Sequence, residues 1–258
     1  MPYNRYDSVN RFDSKGRKKN EKIGVKVVLL IVIPFVIIGI VILGIILGLQ
    51  TAGADNTNPV APTSTEDEPG MVIPDSQLLI VVDDRHPLDK DYAPTLSPFG
   101  GVAVSSWIFS DLDHMIAAAA DEVINISLTA GYVSYSDQGK LYEATFNKMK
   151  TEEKYSDVRA EAEAKKITPK AGSSESQTGL LIELSTNEKD FEGSKAEKWL
   201  DRNAVNYGFV LRYPEGKESS TGMAYNPRLF RYVGKEHALN MRRYGMTLNE
   251  YATHVAQH

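Results

Sequence analysis

The residue types in this chain that could do chemistry are few and unevenly placed. Its 258 residues include no cysteine and five histidines: His86, His114, His237, His254 and His258. Thiolate zinc sites, cysteine nucleophiles and disulfides are thereby excluded, and a metal would have to be held by His, Asp or Glu. Polar groups of catalytic type gather in three stretches: 130–138 (AGYVSYSDQ), 172–184 (GSSESQTGLLIEL) and 199–234 (WLDRNAVNYGFVLRYPEGKESSTGMAYNPRLFRYVG). Ser174 and Ser176 are the candidate nucleophilic hydroxyls. No His lies in their stretch, and neither Ser-x-x-Lys nor Gly-x-Ser-x-Gly occurs there, so a serine nucleophile would lack its base. None of the histidines falls within the three stretches. His86 and His114 read as structural or surface residues, while His237, His254 and His258 could serve a metal only from a distance.

Together the three stretches resemble the VanY-type zinc D-alanyl-D-alanine carboxypeptidases of bacterial cell walls, and the likeness runs from about Leu78 to Tyr251. The longest is similar to W-L-x-x-N-A-x-x-Y-G-F-x-L-R-Y-P-x-G-K-x-x-x-T-G-x-x-Y-E-P-W-H-F-R-Y-V-G, and the others to S-G-Y-R-S-x-x-x-Q and G-x-S-E-H-Q-x-G-L-A-x-D-L. The resemblance implies a small α+β fold shared with hedgehog-like domains. In the family, one zinc ion serves to remove the terminal D-alanine of peptidoglycan stem peptides. Such chemistry needs three protein ligands, an open position for water, a carboxylate base and a cation for the substrate carboxylate.

At the matching positions this chain departs from that pattern. Ser176 and Leu229 stand at the two zinc histidines, Glu183 at the ligating Asp, and Asn226 at the general-base Glu. Arg228 replaces the neighbouring Trp, and Val133 replaces the Arg that pairs with substrate. A neutral hydroxyl is a poor zinc donor, an isobutyl group is none, and an amide takes no proton from water at neutral pH. The resemblance thus implies a scaffold with no intact catalytic residue, no intact zinc ligand and no cofactor. Ser134, Gln138, Ser174, Gln177 and Arg231 match the family and are the candidate binding residues of the remodelled cleft.

The elements that must position these residues follow from periodicity and punctuation. Strands are expected at Leu78 to Val82, over INISLTAGY, over LLIELS, at Phe209 to Tyr213 and at Phe230 to Val233. Helices are expected at Leu112 to Val123, Ser136 to Lys150, Ser156 to Lys166, Lys195 to Tyr207, Lys235 to Tyr244 and Leu248 to Gln257. Strands and helices mix without a regular βαβ repeat, which points to an α+β domain with a small mixed sheet and flanking helices over 71–258.

Ahead of that domain the composition changes twice. Val27 to Leu49 is 23 uncharged residues dominated by Ile, Val and Leu, about 34 Å as a helix and long enough to cross the hydrocarbon core. Residues 1–26 carry eight Lys or Arg against three acidic residues, so the positive-inside rule leaves them in the cytoplasm and sends the body outside. A cleavage site at Ala52-Gly53-Ala54 is the competing reading, for which the apolar run is too long. Residues 50–70, rich in Thr, Asn, Pro, Asp and Glu, form a flexible linker. The net charge of −5, less the +5 of residues 1–26, leaves −10 on the rest, and an acidic body excludes nucleic acid as partner.

The expectation is therefore a single-pass membrane protein of the bacterial envelope. Its outer domain would bind peptidoglycan stem peptide or an envelope protein without turnover. Two alternatives stand beside it: a working metallocarboxypeptidase in which Glu183 and a remote His hold the metal, and a structural or regulatory module whose cleft is filled by Leu229 and Val133.

Overall fold

The computed structural model describes residues 73–257. The expected cytoplasmic segment 1–26, membrane anchor 27–49 and linker 50–70 lie outside the described residues. Among the described residues no helix is long and apolar enough to cross a membrane.

Four strands form the central sheet: β3 (Ser127–Ala130), β4 (Leu181–Ser185), β5 (Phe209–Tyr213) and β6 (Asn226–Tyr232), in the order β3-β4-β6-β5. Every pairing is antiparallel, so the sheet is not mixed as expected. A separate hairpin, β1 (Leu96–Phe99) with β2 (Val102–Ser105), turns on Gly100-Gly101, both with positive φ. The helices are α1 (Asp75–Leu78), α2 (Phe109–Asp121), α3 (Tyr135–Thr151), α4 (Asp157–Lys165), α5 (Lys195–Asn203), α6 (Glu218–Thr221), α7 (Lys235–Tyr244) and α8 (Leu248–Ala256).

Side-chain alternation divides the core about the sheet. Ile182, Leu184 and Phe230 join Leu112, Met115, Trp199 and Leu200 of α2 and α5 in one apolar cluster. Val210 joins Val233, Met241, Leu248 and Tyr251 in a second, under α7 and α8. Four helices begin on a side-chain cap: Ser134 for α3, Ser156 for α4, Ser194 for α5, and a Thr247–Glu250 capping box for α8. These satisfy amides that the first helical turn leaves open.

Three further points differ from expectation. Leu78 to Val82 is no strand: a single helical turn ends at Leu78, and the carbonyls of Leu78 and Ile80 accept from the Arg231 guanidinium at 3.3 and 3.2 Å rather than from a neighbouring strand. Strand β6 starts at Asn226, four residues before the expected Phe230, because Tyr213 and Glu183 provide partners along its first half. The β1–β2 hairpin was not anticipated at all. It braces the functional region, since Ala103 O accepts from Tyr132 N at 2.7 Å and Gly179 O accepts from Ser105 N at 2.9 Å. A side chain at Gly179, where φ is +69°, would bring its Cβ to 2.7 Å from Ser105 N, a contact that only glycine avoids.

Candidate functional site

The site is built where β4 and β6 lie side by side. Their register sets Glu183 opposite Leu229, and residues directly opposite in an antiparallel pair share a face. On the other flank of β4, a register shift in β3 between Leu128 and Ala130 places Ala130 against Glu183 and leads the chain into Gly131–Val133 beside the site. The loop before β4 closes with a 3-10 turn at Glu175–Thr178, and Ser176 O accepts from Val133 N at 3.2 Å. Val133, Ser176, Glu183 and Leu229 consequently line one cavity, of about 60 Å³. Asn226 lines an adjoining space of about 20 Å³ whose wall also includes Leu229. Its Oδ1 accepts from Arg228 N at 2.9 Å.

Among these residues the charged pair dominates. Glu183 is 4% exposed, and its Oε1 lies 3.0 Å from Nη2 of Arg228. The guanidinium is further fixed by donation from Nε to Leu184 O at 3.0 Å. Burial pushes the Glu183 carboxyl up to about 7, against the opposing pull of Arg228. The folded state thus holds a proton on Glu183 between the ordinary value of 4.5 and about 7 that the unfolded chain has lost. Stability from this source is complete below about pH 4.5 and is lost as pH rises through about 7, a fall of about 3 kcal/mol. Glu183→Gln is expected to abolish that fall, melting like the parent at about pH 4 and above it at about pH 8. Denaturant titrations at the two pH values check this, and parallel pH profiles for parent and variant would refute it.

The candidate binding residues fare unequally. Gln138 and Ser174 are buried and line the cavity, Gln138 donating from Nε2 to Pro169 O at 2.7 Å. Ser134 is committed to capping α3, accepting from Asp137 N at 3.1 Å. Gln177 is buried and accepts from Gly172 N at 2.7 Å, closing its own loop. Arg231 must be withdrawn as a ligand contact. It is wholly buried, its Nη1 and Nη2 donate to the carbonyls of Tyr232, Leu78 and Ile80, and its Nε lies 3.4 Å from Glu175.

Sequence reasoning saw Arg228 and Glu183 separately and missed their pairing, which only strand register reveals. It also missed a buried charge cluster behind the site. Arg212 grips Glu175 with Nε and Nη2 at 2.8 and 2.7 Å, and Arg231 approaches the same carboxylate. Burial, against the opposing pull of Glu175 and with the like charge of Arg212 adding to it, brings Arg231 down to about 10.

A family model described as VanY, D-alanyl-D-alanine carboxypeptidase, matches residues 102–235, just over half of the 258-residue chain. The chain belongs to the VanY family. It is 29% identical over 174 residues to a D-alanyl-D-alanine carboxypeptidase of Enterococcus faecalis, covering 67% of this chain and 65% of that one. It is 30% identical to the bifunctional D-Ala-D-Ala dipeptidase and carboxypeptidase VanXYC of Enterococcus gallinarum, covering 69% of this chain and 95% of that one. The chain spans 50% and 65% of the first two curated relatives it matches. Among solved structures, VanYB in complex with D-alanine-D-alanine superposes with a TM-score of 0.64 at 28% identity, covering 68% of this chain and 97% of that one. The LdcB LD-carboxypeptidase gives a TM-score of 0.58 at 28% identity, covering 69% and 86%. A VanY variant from a VanB-type cassette was solved with Zn(II).

The VanY-family ion can be tested against the residues present. One carboxylate, one hydroxyl and one leucine face the cavity at the matching positions, and the carboxylate is ion-paired with Arg228 and raised by burial. Zinc needs three deprotonated or neutral N, S or O donors, and a guanidinium beside the site repels the cation. None of His86, His114, His237 or His254 lines either cavity. His86 turns to Asp83 and His237 to Asp75 and Tyr251. The donor set does not fit the zinc of the family.

Proposed function

We propose that this chain is a membrane-tethered VanY-family protein of the bacterial envelope that has kept the D-alanyl-D-alanine carboxypeptidase scaffold and given up hydrolysis, acting by binding. The observation that carries this reading is the Glu183–Arg228 pair at 3.0 Å. The one carboxylate left at the metal position is neutralised by a protein cation, opposite a leucine that offers no donor. Hydrolysis would further require a base, and Asn226 cannot take a proton from water, a role worth roughly 10²- to 10⁴-fold in rate.

Two ligands fit a binding role: a peptidoglycan stem peptide, for which the family scaffold was built, and a protein of the envelope. The cavity volume favours the second. About 60 Å³ between Val133, Ser176, Glu183 and Leu229 has room for a few waters and not for a terminal dipeptide. A stem peptide would have to bind outside this cavity.

Elemental analysis of the purified full chain after dialysis against zinc is expected to find no stoichiometric metal. Incubation with a stem pentapeptide ending in D-Ala-D-Ala is expected to release no D-alanine. One zinc per chain with chelator-sensitive release would replace this reading by that of a working metallocarboxypeptidase with an altered metal site.

A further inference from the structure

A groove of about 630 Å³ runs along the outer side of β5, sharing Tyr225 with the space that Asn226 lines. Its floor includes Phe209, Val210, Leu211 and Phe230, one wall is α5 with Leu200, and the other is α7 with Met241 and the turn to α8 with Met246. Strand β5 pairs with β6 alone, so its other edge is free of any strand among the described residues. Which groups face the groove follows from the register. Tyr232 N donates to Leu180 O, towards β4, whereas Val233 N donates to Gly208 O, towards β5. Because antiparallel residues turn alternately to one neighbour and the other, Val210 bonds with Arg231, and Phe209 and Leu211 turn their N–H and C=O away from β6. Leu211 is the half-buried one of the two.

Charge decides what fits. Of the cations on the rim, Lys217 is engaged by Glu250 at 3.1 Å, and Arg242 donates to Arg202 O at 2.7 Å. Glu215, just past the end of β5, and Asp201 on α5 have no ion-pair partner among the described residues. Burial first, then Glu192, Glu197 and Glu215, push the Tyr225 hydroxyl there up to about 12. Against Glu197, Asp201 and Glu215 the rim sets Lys198 and Arg242, two cations that no carboxylate engages among the described residues, so the rim stays acidic by one charge.

We propose that this groove docks an extended, basic segment of a partner protein, whose backbone pairs with Leu211 as an added strand and whose Lys or Arg meets Glu215 and Glu197. Strand addition supplies main-chain hydrogen bonds, and the apolar walls take alternate side chains. The acidic end then sets the direction and selects against acidic segments.

The probe is a fluorescein-labelled hexapeptide, Lys-Val-Thr-Val-Thr-Lys, titrated by anisotropy into the full chain held in detergent. Saturable binding is expected, with the Glu-Val-Thr-Val-Thr-Glu counterpart roughly fivefold weaker or more. Glu215→Lys is expected to reverse that preference. A peptide N-methylated at alternate backbone positions should lose binding without any change to the protein, which separates strand pairing from simple charge attraction. No saturation at millimolar peptide, equal affinity for both peptides, or unimpaired binding of the methylated peptide would each overturn the proposal. A dimer in sedimentation velocity that Glu215→Lys dissolves would also overturn it, giving the groove to a second copy of this chain.

Discussion

Replacing Glu175 by Ala is expected to destabilise the domain by about 3–5 kcal/mol, a large share of the roughly 5–15 kcal/mol that holds a domain folded. The carboxylate is 2% exposed and lies between the guanidinium groups of Arg212 and Arg231, themselves 3% and 0% exposed. Two buried cations facing one anion are tolerable because Arg212 has a two-point grip and a third bond to Asn249 at 2.8 Å, while Arg231 is held by three carbonyls. Without Glu175 the cations repel each other in a medium that cannot screen them, and removing one partner of a buried pair costs far more than the pair contributes. For a domain of this size the loss corresponds to roughly 6–20 °C in melting temperature. Calorimetry of parent and variant measures it, and a shift of a degree or two would show that water reaches the cluster. An apolar triple replacement, Glu175→Leu with Arg212→Met and Arg231→Met, should recover much of the loss, because it leaves no charge unpaired.

The second large effect is a gain. Restoring the family residues in one chain, Ser176→His, Glu183→Asp, Asn226→Glu, Arg228→Trp and Leu229→His, is expected to create a zinc site, with Val133→Arg added for the substrate carboxylate. The backbone is already in place: position 183 sits opposite 229 in the β4–β6 register, and 176 lines the same cavity. Removing Arg228 matters as much as adding histidines, since its guanidinium otherwise competes with the metal for the carboxylate at 3.0 Å. The restored chain should take up one zinc by elemental analysis. With zinc at a hundredfold over its dissociation constant, unfolding should become harder by about 2.7 kcal/mol. Restoring everything except Arg228→Trp should give much weaker uptake. A fully restored chain that folds and binds no zinc would mean that this cleft has changed in its backbone as well as its side chains.

Much of the fold was legible in the sequence because it rests on local signals. The helix at Lys235–Tyr244 and the strand at Phe209–Tyr213 fall where periodicity and flanking glycines put them, and the serine caps at 134, 156 and 194 stand at helix starts. Where expectation failed, a non-local partner decided. Residues 78–82 are apolar enough for a strand, yet among the described residues no strand lies beside them and the carbonyls of Leu78 and Ile80 were taken by a buried arginine. Residues 226–229 carry weak strand propensity, with Asn and Pro, and became strand because β4 and β5 lie on either side.

The site divides in the same way. The sequence by itself determined which chemical groups stand at the matching positions: a leucine at 229 with no donor, a serine at 176 whose neutral hydroxyl is a poor one, and an asparagine at 226 that takes no proton at neutral pH. Only the tertiary structure decided what took over the vacated roles. It brought Arg228 onto Glu183, buried Arg231 as a bearer of carbonyl bonds, and left the outer edge of β5 without a strand neighbour among the described residues. Composition and spacing constrain the types of groups a chain carries, whereas burial, pairing and exposure depend on which distant strands become neighbours.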